Sequence, residues 1–221
     1  MDLDQLEEKL GYVFQDRKLL ERALSHKSVG SANNERLEFL GDAALGYVVA
    51  NDLFKSYPGA AEDDLTLMRA NLVKKMTLAD VARGIDLGRY LELGIGEKKG
   101  GGRGRSSILA DALEAILGAI VIDGGIGSAA SVVNNLFGDR LDALDGTVEK
   151  DPKTRLQELV QGRRIELPSY SVLRTEGKDH ARVYFVQCRV DDLDLESTAS
   201  ATSRREAEKL AALGVLERVK E

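Results

Sequence analysis

The sequence predicts a mainly α protein: an all-helical domain followed by a small domain of α-β-β-β-α order. Three observations predict it. Aromatic residues are only 5% of the 221 and there is no Trp, which disfavours an aromatic-rich β-sandwich. Up to about residue 140 the apolar residues recur at helical spacing. Beyond 151 they alternate instead, in runs bounded by turn residues.

Leu3, Leu6 and Leu10 open a first helix from Asp2. A second is expected over 16–26, a third over 34–55, a fourth over 61–83 and a fifth over 106–122. A last amphipathic piece runs through Ala129, Val132, Val133, Leu136 and Phe137. Between the fourth and fifth helices, GIGEKKGGGRGR (94–105) has the composition of a solvated surface loop. It is not a P-loop, because no Gly-Lys-[Ser/Thr] follows the glycines. The pattern breaks around Gly146 and Asp151-Pro152, which sets the expected division at 1–145, a linker at 146–151, and 152–221. In the second domain a helix over 152–162 precedes strands near 169–175, 181–190 and 194–201. The final helix, 203–219, has Ser203 as its N-cap with Glu206 three residues on. The lone thiol, Cys188, falls in the middle strand and reads as core.

Charge is less helpful. The chain has 31 basic and 37 acidic residues, a net −6. Residues 151–221 carry 13 of each sign, so all of the excess lies in 1–150. A nucleic-acid partner usually demands a basic surplus, and neither half has one. No run approaches the roughly 18–20 uninterrupted apolar residues of a membrane span, and MDLDQLEEKL lacks the basic-then-apolar order of a signal peptide. One cysteine excludes an internal disulfide framework and a Cys-rich zinc site. A soluble cytoplasmic protein without a membrane partner is expected.

The most informative residues are acids in apolar helices. From Leu37 to Ala50 the only charged side chains are Glu38 and Asp42. A helix apolar nearly all round is a buried helix, and i, i+4 spacing stacks these two on one face, joined by Glu35. Ile108 to Ile122 repeats the pattern, with only Asp111 and Glu114 polar, at i, i+3. Ionised carboxylates in such settings cost several kcal/mol each, roughly, and must be protonated, paired or gathered on a cation. Arg36 or Arg69 clamping each acid is one reading. Two independent helices with the same anomaly favour the other, a shared divalent ion. With almost no His or Cys in the chain, an all-oxygen donor set points to Mg²⁺ or Mn²⁺. Iron is disfavoured because neither His26 nor His180 completes a Glu-x-x-His pair. A hard cation open to solvent suits hydrolytic phosphoryl transfer on a phosphodiester.

Asn34-Glu-Arg-Leu-Glu-Phe-Leu-Gly-Asp42 closely resembles the signature of the ribonuclease III family. The resemblance extends through Ala23-Leu-Ser-His-Lys-Ser28, Leu67-Met-Arg-Ala-Asn-Leu-Val73 and Ser107-Ile-Leu-Ala-Asp-Ala-Leu-Glu-Ala-Ile-Leu-Gly118. It continues through Asp151-Pro-Lys-Thr-Arg-Leu-Gln-Glu158 into a double-stranded-RNA-binding domain, so essentially the whole chain is covered, in the manner of the short bacterial form. The resemblance implies that Glu38, Asp42, Asp111 and Glu114 bind Mg²⁺, with Mn²⁺ as a substitute, and that Asp42 and Glu114 are catalytic. Glu35 and Glu62 match two supporting acids. The implied partners are double-stranded RNA and a second copy of the chain. The implied reaction is in-line hydrolysis leaving 5′-phosphate and 3′-hydroxyl ends with short 3′ overhangs, serving ribosomal RNA precursors and other structured transcripts.

By the same match, Thr154, Gln157, Glu158, Gln161, His180, Ser203, Arg204 and Arg205 contact RNA, which a duplex presents mainly as shape, 2′-hydroxyls and phosphates. Two departures weaken this half. Ala199-Ser-Ala201 stands where the family usually has Gly-x-Gly, and Glu206 and Glu208 dilute the basic run after Arg205. Lys98, Lys99, Arg103 and Arg105 could also touch RNA, a solvated loop being the plainer reading. Two rival functions remain at this point: a non-catalytic duplex-RNA binder, and a phosphohydrolase of small nucleotides, which would lack a nucleotide-binding loop.

Overall fold

The computed structural model describes residues 3–143, 151–177 and 182–219. The chain divides into two compact units, Met1–Val148 and Glu149–Glu221. The first contains α1 (Asp4–Leu10), α2 (Arg17–Ala23), α3 (Glu35–Ser56), α4 (Glu62–Val73), α5 (Lys75–Gly84), α6 (Ile95–Lys99) and α7 (Ser106–Asp142). Single turns of 3₁₀ helix at Leu87–Tyr90 and Gly102–Gly104 connect the later ones.

The core is built on α3 against α7. Leu37, Leu45, Val48, Val49 and Leu53 meet Leu113, Ile116, Leu117 and Ile120, all buried. By length and composition α7 could cross a bilayer, with a mean hydropathy of 1.8 in its most apolar stretch. Burial accounts for part of that apolarity: Ile116, Leu117, Ala119 and Ile120 expose nothing, while Ile122 and Ile126 face out.

Three expectations need correction, and one is met. The helix expected over 61–83 is two, because Lys74 leaves helical geometry (φ −64°, ψ 146°) and turns the chain from α4 into α5. The expected fifth helix and the amphipathic piece stay distinct: α7 is two helical stretches divided at Gly125 (φ 80°, ψ 174°). That backbone conformation suits glycine, and it ends one helical stretch before the next begins. The segment 94–105 is not a bare loop. It holds α6 and a 3₁₀ turn, pinned where Arg103 donates to Gly88 O and Arg89 O at 2.7 and 2.6 Å and where Arg105 pairs with Glu97 at 2.9 Å. Last, α3 is not buried all round: Phe39 is 81% exposed, Tyr47 62% and Phe54 72%.

The second unit contains α8 (Pro152–Gly162), β1 (Ser169–Glu176), β2 (Val183–Val190), β3 (Leu195–Ala201) and α9 (Arg204–Val219). The sheet is antiparallel in the order β1-β2-β3, with an irregularity between Val172 and Arg174. Val186, Cys188 and Val190 alternate onto its buried face. There Cys188 and Val190 join Leu156 and Val160 of α8 and Ala211, Ala212 and Val215 of α9. Cys188 is core, as its position in the strand predicts. Apart from Asp151, the linker expected at 146–151 lies outside the described residues.

Candidate metal centre

The acids meet because two glycines let their helices touch. A Cβ on Gly41 of α3 would come within 1.7 Å of the Glu114 carbonyl oxygen. One on Gly118 of α7 would come within 2.1 Å of the Leu37 carbonyl oxygen. Real Cβ atoms never approach so closely, so the backbones cross at a separation only glycine permits. Gly41 lies three residues after Glu38 and Gly118 four after Glu114, so the crossing sets the two acidic faces against each other. Asn34 fixes the start of α3, its Nδ2 donating to Ala23 O at 3.2 Å from a buried position.

Glu38, Asp111 and Glu114, all half-buried, each offer a carboxylate oxygen within 4.8 Å of the other two. Burial first, and then the neighbouring Asp111, raises the pKa of Glu38. Burial, and then Asp42, Asp111 and Glu38 in that order, push Glu114 up to about 7. Asp42 is exposed and stands outside the cluster of three, yet it is the strongest charged influence on Glu114. Among the described residues no guanidinium pairs with these acids, so the clamp by Arg36 or Arg69 does not occur. The ion pair these acids make among the described residues is Lys75 Nζ with Asp111 Oδ1 at 3.2 Å.

This donor set fits a hard divalent cation. Oxygens around Mg²⁺ lie up to about 4.2 Å apart at metal–oxygen distances of about 2.1 Å, so a small contraction of the cluster suffices. The raised carboxyls mark a site short of positive charge, which an ion would supply.

The supporting acids lie outside the cluster. Glu35 is paired with Lys27 at 3.8 Å, accepts from Asn33 Nδ2 at 3.1 Å, and reaches Glu38 only through its field. Glu62 begins α4, accepts from Thr66 Oγ1 at 2.9 Å, and lines a small cavity with Phe54, Leu65 and Arg69.

In the second unit Thr154, Gln157, Glu158 and Gln161 are exposed along one face of α8, opposite the buried Leu156 and Val160. Ser203 is the expected cap, accepting from Glu206 N at 3.2 Å. Arg204 and Arg205 are exposed beside it. The starts of α8 and α9 are stitched together by Lys153–Glu208 at 2.5 Å and Lys209–Asp151 at 3.0 Å, so these groups share one end of the helical layer. Glu208 also takes Arg204, whose Nε lies 2.8 Å from Oε1. His180 lies outside the described residues.

Sequence reasoning missed Lys75 and the two glycines. The glycines left a signal, each following an anomalous acid by one helical turn; Lys75 left none, because the helix start that aims it is not visible in the sequence.

Comparison with known proteins agrees with this geometry. Residues 16–141 match the family described as Ribonuclease-III-like, and 152–219 match the Double-stranded RNA binding motif. The chain is 49% identical over 218 residues to the Ribonuclease 3 of Vibrio parahaemolyticus, covering 98% of this chain and 97% of the relative. It is 49% identical over 217 residues to that of Pseudomonas syringae pv. syringae, covering 98% and 95%. Among solved structures, the nuclease domain of ribonuclease III from Campylobacter jejuni aligns with a TM-score of 0.62 at 42% identity, over 65% of this chain and 99% of that one. A second structure of that domain, described for flexibility in the region involved in dimer formation, aligns with a TM-score of 0.61 at 43% identity, over 62% and 97%.

Proposed function

The chain belongs to the ribonuclease III family, and on that premise we propose how its residues divide the work of an endoribonuclease that hydrolyses double-stranded RNA. Residues 1–145 form the nuclease domain, 146–151 the linker and 152–221 the RNA-binding domain. Glu38, Asp42, Asp111 and Glu114 hold the divalent ion, with Asp42 and Glu114 nearest the reaction. The observation that supports this is the convergence of three carboxylates from α3 and α7 within 4.8 Å.

The family is metal-dependent, and the resident ion is Mg²⁺, with Mn²⁺ as substitute, because every donor is a carboxylate oxygen. When bound, such an ion supplies Lewis-acid charge and lowers the pKa of water. The protein's part is to converge its carboxylates on one point and to release the proton of Glu114 when a cation arrives. In the reaction a water oxygen bonds to phosphorus in line with the 3′ oxygen. The water gives up a proton to solvent, the P–O3′ bond breaks with its electron pair on the 3′ oxygen, and that oxygen takes a proton from solvent, leaving 5′-phosphate and 3′-hydroxyl ends.

The enzyme is a homodimer, and the exposed face of α3 is the surface for it. Phe39, Tyr47 and Phe54 lie within about 80° of one another around the helix, an apolar stripe that water penalises. A two-fold assembly presents two sites to a quasi-two-fold duplex, one per strand, and so leaves short 3′ overhangs. Glu35 and Glu62 support the catalytic valley. Thr154, Gln157, Glu158, Gln161, His180, Ser203, Arg204 and Arg205 grip the duplex by 2′-hydroxyls and phosphates. The substrates are ribosomal RNA precursors and other structured transcripts, met in the cytoplasm.

The test is cleavage of a labelled RNA duplex with and without Mg²⁺, comparing the parent with Glu114→Gln. Metal-dependent cutting that falls by at least about 100-fold in the variant is expected, the scale at which even outer residues of metal sites act. Equal, metal-independent behaviour of the two overturns the reading in favour of a duplex-binding protein.

A further inference from the structure

Lys75 occupies a position that local physics disfavours. It is the first residue of α5, next to Lys74, in a first turn without an acid. The positive end of the helix macrodipole makes cations costly there. Its ammonium is turned onto the acidic cluster, with Nζ 3.2 Å from Asp111 Oδ1. Its field also lowers the pKa of Glu38 and of Glu114, so it reaches all three clustered acids. The side chain is 58% exposed, hence free to leave without unpacking the core. The bend at Lys74 that divides α4 from α5 is what aims it, because a continuous helix over 61–83 would give the chain no new start at this point.

We propose that Lys75 is a positioning residue that serves as a built-in counter-cation: it holds Asp111 in the resting protein, and the divalent ion must displace it in order to bind. This rests on the metal-centre reading above. An ammonium already paired with one ligand raises the concentration of metal at which the site fills. It also keeps the four acids from forcing α3 and α7 apart while no ion is present.

Calorimetric titration of the full-length protein with Mn²⁺ at pH 8, in low salt and without RNA, tests it on the parent, Glu114→Gln, Lys75→Gln and Lys75→Arg. Removing a unit charge a few ångströms from a divalent ion is worth about ten-fold in affinity at near-aqueous screening. Lys75→Gln is therefore expected to bind Mn²⁺ about ten-fold tighter than the parent, Lys75→Arg to match the parent, and the gap to shrink at ~0.5 M salt. Unchanged or weaker binding by Lys75→Gln, while the parent binds and Glu114→Gln does not, overturns the role of Lys75 alone. A raised KM for RNA with unchanged metal affinity overturns it in favour of a phosphate contact. Binding by Glu114→Gln that equals the parent's removes the metal-centre reading and this role with it.

Discussion

The backbone of Gly41 rests directly against the Glu114 carbonyl oxygen, which a Cβ at position 41 would approach to 1.7 Å. Gly118 makes the reciprocal contact with Leu37 O. The acids are thus placed by backbone contact rather than by side-chain bonds, and the separation of two helices sets the geometry of the site.

Gly41→Ala therefore strikes fold and function together. The added methyl meets backbone, which cannot rotate away, so α3 and α7 must part. Overpacking of this kind costs about 1–3 kcal/mol, expected as a fall of several degrees in Tm. Divalent affinity should fall with it, because Glu38 moves with α3. Gly46→Ala is the control, since a Cβ there meets nothing within 4 Å. A Gly41→Ala protein that melts with the parent and binds Mn²⁺ as well would show the crossing to be unimportant.

A pH dependence follows from Glu114. Its carboxyl titrates near 4.5 when unfolded and at about 7 when folded. The folded state thus holds the extra proton between those values. Without metal, stability should decline as pH rises through that window and level off above it. Metal needs the deprotonated form, so apparent affinity should fall by up to about ten-fold per pH unit below 7 and flatten above. Thermal melts from pH 5 to 8.5 in chelator and in Mn²⁺ check both. In Glu114→Gln the decline in chelator should largely disappear. Metal affinity that is flat from pH 6 to 8 would contradict the account.

Much of this was legible beforehand, and what escaped did so for physical reasons. Carboxylates alone in apolar helices betray themselves through the cost of burial, which is why Glu38, Asp111 and Glu114 could be named from spacing. Asp42 shared the spacing but not the burial, because its side of α3 opens to solvent. The break at Lys74 carries neither Gly nor Pro, so nothing local ended the apolar period of 61–83. The exposure of Phe39 and Tyr47 was invisible because periodicity marks an apolar face without saying what covers it. The ties of Arg103 to Gly88 and Arg89 are long-range, so a glycine-rich run passed for a bare loop.

The α3 stripe gives a prediction for assembly. A charge at Phe39, 81% exposed, should leave the fold intact and weaken the dimer. Phe39→Glu buries an unpaired carboxylate in the interface, and central aromatic positions commonly cost 2 kcal/mol or more, roughly 30-fold in the dimer constant. Sedimentation at micromolar concentration should show monomer, with double-strand cuts giving way to nicks. A variant that stays dimeric at every concentration would place the interface elsewhere.

The end of the second unit proposed to bind RNA is held back by its own acids. Arg204 is bonded to Glu208, Lys153 to the same carboxylate, and Lys209 to Asp151, so a phosphate arriving there competes with pairs already made. These pairs are partly shielded from solvent, so RNA must break them to use the cations, and each exchange returns less than binding to a free cation. Glu206 differs, standing exposed one residue past Arg205 at the helix start, where it repels phosphate directly. Glu206→Lys should therefore tighten duplex binding several-fold at ~0.1 M salt. If the new lysine makes one phosphate contact, the slope of log affinity against log salt steepens by about 0.7–0.9. Arg205→Ala should do the reverse. Filter binding of the full-length protein in chelator, which blocks cleavage, measures both. If neither substitution moves affinity or slope, the duplex is held by the nuclease half alone, and the face of α8 with the start of α9 is not where the RNA lies.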